Sequence, residues 1–305
     1  MIYSADISHS KSILIKPVIV TYNNPAVLGR SLSKLLDLGF VSSDVSVLDN
    51  GSRAEAQLEA KEIAEASNCN FIPISVNRGW GGAINYYLDN IHGSLGGETI
   101  LLVMAHDSYF ESLDIEEILS YFRDPNAIFV CPTYPQPVTS HYNIIKSFYS
   151  RPGKEEGLIE IGHQTAFFAR ASLLNQIRYD EEFWVYGGEY EIFIRAGRQG
   201  YNSYQATKTV IVNPASAASS TYGLLAYKLN SLYYAFVRHG YFGLCLRTIV
   251  VIYNISVFQL SGSGDTARLL ARCLHFALRN PGRGHRSYVQ NPDFQAKFKI
   301  GPLAK

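Results

Sequence analysis

The sequence predicts an α/β fold built on parallel strands, followed by an all-helical extension, and three observations predict it. Short apolar runs alternate with helical patterns from Ile13 to Cys131, the signature of βαβ units. Each of the early runs ends in a polar cluster: Thr21-Tyr22-Asn23, Asp49-Asn50-Gly51-Ser52 and Ala105-His106-Asp107-Ser108. From Tyr222 onward the pattern becomes purely helical. In open α/β sheets, ligands bind beyond the carboxyl ends of the strands. The polar clusters therefore mark a binding rim.

The elements follow in order. Strands are predicted at Ile13–Thr21, Val45–Leu48, Asn70–Ile74, Thr99–Met104 and Ile128–Cys131. The helices between them are Pro25–Leu38, Ala54–Ser67, Gly82–Ile91 and Asp114–Phe122. Pro25 suits a first helical turn, where its missing N–H would have no intrahelical partner anyway. Pro132 to Gly157, with four prolines, reads as a long loop or irregular hairpin. Thr165–Ala169 then predicts a strand, Ala171–Ile177 a short helix, and Glu189–Gln199 a helix closed by Gly200. The extension divides into Leu224–Arg238, Phe242–Leu260 and Thr266–Leu278, punctuated by Gly240, Gly243 and Ser261-Gly262-Ser263-Gly264. These patterns place one domain at 1–220 and the helical extension at 221–305. There is no internal repeat.

Composition narrows the function classes. The 305 residues are 47% hydrophobic and 17% charged, with a formal net charge of +1. That balance suits a globular chain with a large core and gives no support to a nucleic-acid partner. Four dispersed cysteines (Cys69, Cys131, Cys245, Cys273) form no CxxC pair, so structural zinc and thiol-redox readings lack support and a reducing cytosol is expected. No secretory-signal pattern is visible, and no run reaches the roughly 18 uninterrupted apolar residues of a spanning helix. The extension's basic residues, from Arg268 to Lys305, predict peripheral contact with an anionic membrane face. The apolar Phe242–Leu260 reads alternatively as a packed helix or a homodimer contact.

Particular residues then suggest chemistry. Asp49 ends the second strand, where a carboxylate can accept from an imide N–H or a hydroxyl; Asp-Asn-Gly-Ser is equally good turn chemistry. The run from Asn77 to Asn85 carries three glycines ahead of a helix, which allows close backbone approach and favours an anion. It lacks the G-x-G-x-x-G order and does not follow the first strand, so a dinucleotide site is disfavoured. Asn85 fits a capping role as well as a binding one. Glu189 opens a helix, where it serves either as a base or as a partner of the helix dipole. Glu191 is spaced to pair with Arg195 at i+4.

In their order and spacing, Val18–Asn23, Asp49–Ser52, Asn77–Asn85, Asp107 and Phe183–Arg195 together resemble family 2 glycosyltransferases of the GT-A fold, most of all their bacterial rhamnosyltransferase-like branch. The resemblance spans about Ile13 to Asn213. It implies a Rossmann-like mixed central sheet flanked by helices and an inverting transfer from a nucleotide sugar, dTDP-rhamnose or a UDP-hexose. The implied acceptor is a saccharide or lipid-linked saccharide of cell-surface polysaccharide synthesis, handled in the cytoplasm, peripherally at the inner face of the plasma membrane. The resemblance makes Thr21, Tyr22, Asp49, Asn77, Gly79, His106 and Asp107 donor residues and Glu189 the catalytic base. It also gives His163, Trp184 and Glu191 to the acceptor, and a divalent cation (Mg²⁺ or Mn²⁺) to Asp107 with Asn213. Three departures accompany it. Ala105 stands where the D-x-D motif begins, Gly188 where an acid precedes the base, and Asn213 where a His is usual. A non-catalytic GT-A relative that binds saccharide or nucleotide stays open for that reason. A nucleotidyltransferase is less well matched, because Thr21–Pro25 has no basic, Gly-rich signature.

Overall fold

The computed structural model describes residues 13–91, 98–134, 157–159, 162, 165–214 and 221–289. Its centre is an eight-stranded sheet in the order β3-β2-β1-β4-β7-β6-β8-β5. The strands are β1 (Ile13–Thr21), β2 (Ser46–Asp49), β3 (Asn70–Pro73), β4 (Glu98–Ala105), β5 (Tyr109–Ser112), β6 (Ala127–Thr133), β7 (Ala166–Arg170) and β8 (Asn202–Val212). The first four are parallel, and β6 runs parallel to β8. Strands β7 and β5 run against their neighbours, so the sheet is mixed. Sequence alone does not predict β5 or β8. Strand β8 has a polar, irregularly buried face and a shifted register against β6, which erases the period-2 signal.

Alternating side chains give the sheet two apolar faces. Val18, Val20, Leu101, Val103 and Phe167 meet α3 (Gly79–Ile91), α5 (Ala171–Ile177) and α6 (Gly188–Arg198) on one side. Ile19, Val47, Ile100, Leu102 and Phe168 meet α1 (Pro25–Asp37), α2 (Ala54–Ala66) and α4 (Ile115–Tyr121) on the other. Each fully buried Leu, Ile or Phe contributes about 1.5–3 kcal/mol. A one-residue slip of any central strand would send its whole set to the wrong face, so the register is tightly fixed. That register aligns the rim: Thr21 lies beside Asp49, and Val20 beside Ala105.

The extension consists of α7 (Thr221–Leu260), α8 (Gly264–Arg279) and α9 (His285–Val289). Gly240 interrupts α7 with φ 60° and ψ −153°, a conformation open essentially to glycine. On a straight helix Ser231 and Arg247 would stand about 24 Å apart. Instead the Arg247 Nε–H donates to Ser231 Oγ at 3.0 Å. The helix therefore folds back on itself as a hairpin, and Leu229, Leu232, Leu244 and Val251 share one core with Leu270 and Cys273 of α8. The predicted pair of helices split at Gly240 is thus present, whereas α9 has no counterpart in the sequence reading.

By length and composition alone, Leu225–Leu260 is apolar enough to cross a membrane, with a mean hydropathy of 1.6. A search for an uninterrupted apolar run passes over it, because Arg247 and the glycines divide the run. The hairpin separates two roles within it. Leu229, Asn230 and Leu232 of the first arm are buried, whereas Phe242, Ile249, Tyr253 and Leu260 of the second arm are 64–88% exposed.

The first arm is pinned to the segment that precedes α6. Asn230, 1% exposed, donates its amide to the carbonyls of Val185, at 2.8 Å, and Tyr186, while its own oxygen accepts the His285 N–H at 3.2 Å. Leu at position 230 would leave these buried groups without that partner. We expect Asn230→Leu to lose about 3 kcal/mol of stability, read as a lower urea midpoint.

Candidate active site

At the end of β2, Asp49 is completely buried. Its Oδ1 accepts from the Ser52 N–H at 3.0 Å and from Gln57 Nε2 at 2.9 Å. Its Oδ2 is buried and, among the described residues, has no hydrogen-bond partner. A buried carboxylate oxygen left in that state is costly unless a donor arrives from outside. The turn that carries it is built for close approach. Gly51 has φ +74°, and a Cβ there would lie 2.3 Å from the Asn77 nitrogen. Thr21 is buried, and its carbonyl accepts the Asn50 N–H at 2.9 Å; Tyr22 beside it is partly exposed.

Asn77 and Gly79 shape the loop that faces Asp49. Asn77 Oδ1 accepts the Gly79 N–H at 2.7 Å, an Asx turn at the start of α3, and also the Asn50 amide at 3.2 Å. Gly79 has φ +73°, and a Cβ would fall 2.2 Å from the Trp184 carbonyl oxygen. That contact brings the Gly-rich loop against the segment leading to Glu189, and the Trp80 N–H bonds the same carbonyl at 2.9 Å. Asn85 satisfies backbone groups: it exchanges hydrogen bonds with Tyr179 O and N, each at 3.0 Å.

Past β4, His106 and Asp107 are half-buried on the turn into β5. The His106 ring lies 3.3 Å from the Val20 carbonyl, and burial lowers its pKa against the opposing pull of Asp107. Asp107 Oδ1 accepts the Asn213 amide at 3.1 Å, and that amide also reaches Ser108 Oγ at 3.2 Å. The Tyr134 hydroxyl donates to the Asn213 carbonyl at 3.2 Å. Asn213 directly follows β8, so the parallel run of β8 delivers it to the same rim.

Glu189 enters from α6. The preceding turn holds Tyr186 at φ +57° and Gly187 at φ +94°, and a non-glycine residue in that region is strained. The Gly187 N–H donates to Glu189 Oε2 at 2.8 Å. Burial raises the Glu189 pKa above its ordinary 4.5, partly offset by hydrogen bonds from its own and the Gly187 backbone N–H. The Tyr186 phenol pKa is raised by burial, then by the charges of Glu189 and Asp107.

Other residues named from the sequence have clear placements. Glu191 forms the two-pronged i+4 pair with Arg195, at 2.6 and 2.9 Å, and Arg195 also caps the Arg178 carbonyl at 2.6 Å. Trp184 is 4% exposed and packs inward. His163 lies outside the described residues. A Cβ at Gly188 would stand 3.2 Å from Phe183 Cβ, so Phe183 crowds this position. Gln57 and Asn230 escape the sequence reading. An Asn within the largely apolar stretch from Leu224 to Phe236 is the signal that points to the latter.

Among the described residues, no three His, Cys, Asp or Glu side chains gather into a metal cluster. The donor set available is the Asp107 carboxylate with Asn213 beside it. Such a set fits Mg²⁺ or Mn²⁺ that takes its remaining ligands from phosphate oxygens and water.

The sequence profile described as glycosyl transferase family 2 matches residues 18–184, just over half of the chain. The match ends five residues before Glu189. A search of curated proteins finds no match. Among solved structures, a mannosyltransferase from Pyrobaculum calidifontis in complex with GDP-Man and Mn²⁺ superposes with a TM-score of 0.56 at 15% identity, covering 92% of this chain and 84% of its own. Glucosyl-3-phosphoglycerate synthase from Mycobacterium tuberculosis, with Mn²⁺, UDP and glucosyl-3-phosphoglycerate, gives 0.54 at 18% identity, covering 74% and 80%. These likenesses establish the GT-A fold.

The raised Glu189 pKa has a consequence for stability. The folded chain holds this proton to higher pH than the unfolded one, so the contribution is complete below 4.5 and is lost as pH rises through the folded value. Glu189→Gln removes that loss. Urea midpoints at about pH 4 and about pH 8 should therefore show the variant gaining on the wild type at the higher pH.

Proposed function

The chain belongs to glycosyl transferase family 2, and from that premise we propose that it is an inverting transferase. It moves a sugar from a nucleoside-diphosphate donor to a hydroxyl of a saccharide or lipid-linked saccharide. The observation that supports this reading is the rim formed by the parallel register of β1, β2 and β4, against which the Gly79–Trp184 contact brings the segment leading to Glu189. At that rim Asp49 Oδ2 has no hydrogen-bond partner among the described residues.

Asp49 Oδ2 accepts the imide N–H of the donor's base. Uracil and thymine both present that group, in keeping with a UDP-hexose or dTDP-rhamnose, and Thr21 and Tyr22 flank them. Asn77 and Gly79 hold the Gly-rich loop close to the nucleotide, and His106 backs the diphosphate side. Asp107, with Asn213 beside it, would hold a divalent cation, which would supply charge neutralisation for the leaving diphosphate. The metal-bound relatives support a cation here. Glu189 takes the proton from the acceptor hydroxyl as the C–O bond forms on the face opposite the leaving group. Its raised pKa suits that task, because a base works best with a pKa near the working pH. Trp184 and Glu191 stand behind the acceptor side and hold its wall through packing and the Arg195 pair. The exposed apolar arm of α7 supports peripheral membrane contact, as a lipid-linked acceptor requires.

A second reading, a sugar-binding relative without turnover, draws on Ala105 and Gly188. The strained Tyr186 turn and the perturbed Glu189 oppose it, since such features concentrate at reacting sites.

Two variants test the proposal. Glu189→Gln should reduce transfer by about 10²–10⁴ while calorimetric binding of the nucleotide sugar stays near wild type. Near-normal turnover would take Glu189 out of the role. Asp107→Ala should weaken Mn²⁺-dependent donor binding, and chelator should abolish transfer by the wild type. Activity unchanged in excess chelator would argue for a metal-free reaction.

A further inference from the structure

The second arm of α7 is apolar on every side. Its inward face gives Leu244 and Val251 to the core shared with Leu270 and Cys273 of α8. Its outward face repeats every three or four residues, at Phe242, Leu246, Ile249, Tyr253, Val257 and Leu260, and these side chains are 44–88% exposed. Between Tyr241 and Leu260 the one charged residue is Arg247, which is half-buried. A helix apolar all round is normally enclosed. Here the described residues enclose one side only, over a length of about 30 Å.

Width, charge and packing together decide what covers the other side. Exposed Val250 and Ile252 extend the stripe to either side, so that it spans roughly 160° of the helix surface. A seam between two helices is narrower and is flanked by charges that select the partner. No charged side chain flanks this stripe, so a second copy fits it poorly. Charge then points to a lipid surface. From Tyr241 to Val289 there are six arginines and a single acid, Asp265. Exposed Arg268, Arg272 and Arg279 share one face of α8, at i, i+4 and i+11. Cations beside an exposed apolar face suit an anionic bilayer. Packing fixes the orientation. Because α8 shares its core with the arm, driving the arm across a bilayer would carry these arginines into hydrocarbon. The arm therefore lies along the surface, although Leu225–Leu260 passes for a span by length and composition.

We propose that the second arm of α7 is a monotopic anchor, lying in the interface of an anionic bilayer with the outward arginines of α8 among the lipid headgroups. The inference rests on the transferase reading only for the purpose of the contact, which is to bring a lipid-linked acceptor within reach of the rim.

The test is flotation of the full chain with vesicles of phosphatidylcholine alone and of phosphatidylcholine mixed with phosphatidylglycerol. The wild type should float with the mixed vesicles and far less with the neutral ones. Ile249→Glu combined with Tyr253→Glu should lower partitioning about tenfold or more. Arg272→Gln combined with Arg279→Gln should lower partitioning to the mixed vesicles about twenty- to thirtyfold and leave the neutral ones nearly unaffected. All four positions are exposed, so thermal midpoints without lipid should stay near wild type. No flotation of the wild type, or wild-type flotation of the Ile249 and Tyr253 variant, overturns the proposal. Equal binding to both vesicle types overturns the role given to the arginines. A stable lipid-free dimer, dispersed by the same glutamates, would give the face to a second copy and overturn the anchor. A nucleotide-sugar titration without lipid keeps the two readings apart. Its failure beside intact flotation would remove the transferase assignment while leaving the anchor, and donor binding without flotation would do the reverse.

Discussion

The Asn230 amide holds two consecutive carbonyls, those of Val185 and Tyr186, at the entrance to a turn whose next residues sit in left-handed backbone. A strained conformation persists only where its surroundings over-determine it. Here the over-determination comes from several directions. Asn230 fixes the carbonyls, Trp184 gives its carbonyl to Trp80, and the Glu189 carboxylate closes back on Gly187. Further contacts secure the segment just upstream. Tyr233 donates to Asp180 at 2.9 Å, and Glu182 accepts from Gly284 N at 2.8 Å and from Ser287 Oγ at 3.0 Å. The position of Glu189 is thus a property of the extension as much as of the sheet.

The two halves of the cleft differ in how they are made. On the proposed donor side, geometry follows from strand register: Thr21 and Asp49 end β1 and β2, and His106 and Asp107 directly follow β4. This is why the rim was legible in the sequence. Apolar runs ending in Thr21, Asp49 and Ala105 state their own directions, and parallel pairing aligns them. The acceptor side was harder to read because it depends on contacts remote in sequence. Asn230 lies 45 positions from Val185, and nothing local in either segment announces the other. Strand β8 was missed for a different reason: its bulged pairing and polar face break the alternation on which strand prediction depends. Its last residues are nonetheless the ones that bring Asn213 to Asp107.

The departures from the family pattern also take on physical meaning. Gly188 is crowded by Phe183, and Phe183 in turn stacks edge-on against Tyr233 of the extension, with centroids 5.3 Å apart. A side chain at 188 would compete with the contact that docks α7. Asn213 keeps a polar group beside Asp107 without adding charge. The Glu189 carboxylate folds back onto the Gly187 N–H.

These couplings bear on how the chain divides. Among the described residues the sheet and the extension have separate apolar cores, and we propose the boundary near residue 220 as a division of packing. It does not separate two functions. Gly187 touches Asn230 on one side and holds Glu189 on the other, so removing the helices would free the turn that positions the base. His285, driven by burial to a pKa of about 3, stays neutral and gives its backbone N–H to the same Asn230. A buried neutral imidazole keeps this contact insensitive to pH over the range in which Glu189 titrates. The extension can therefore hold Glu189, the proposed base, steady while its carboxylate gains and loses a proton.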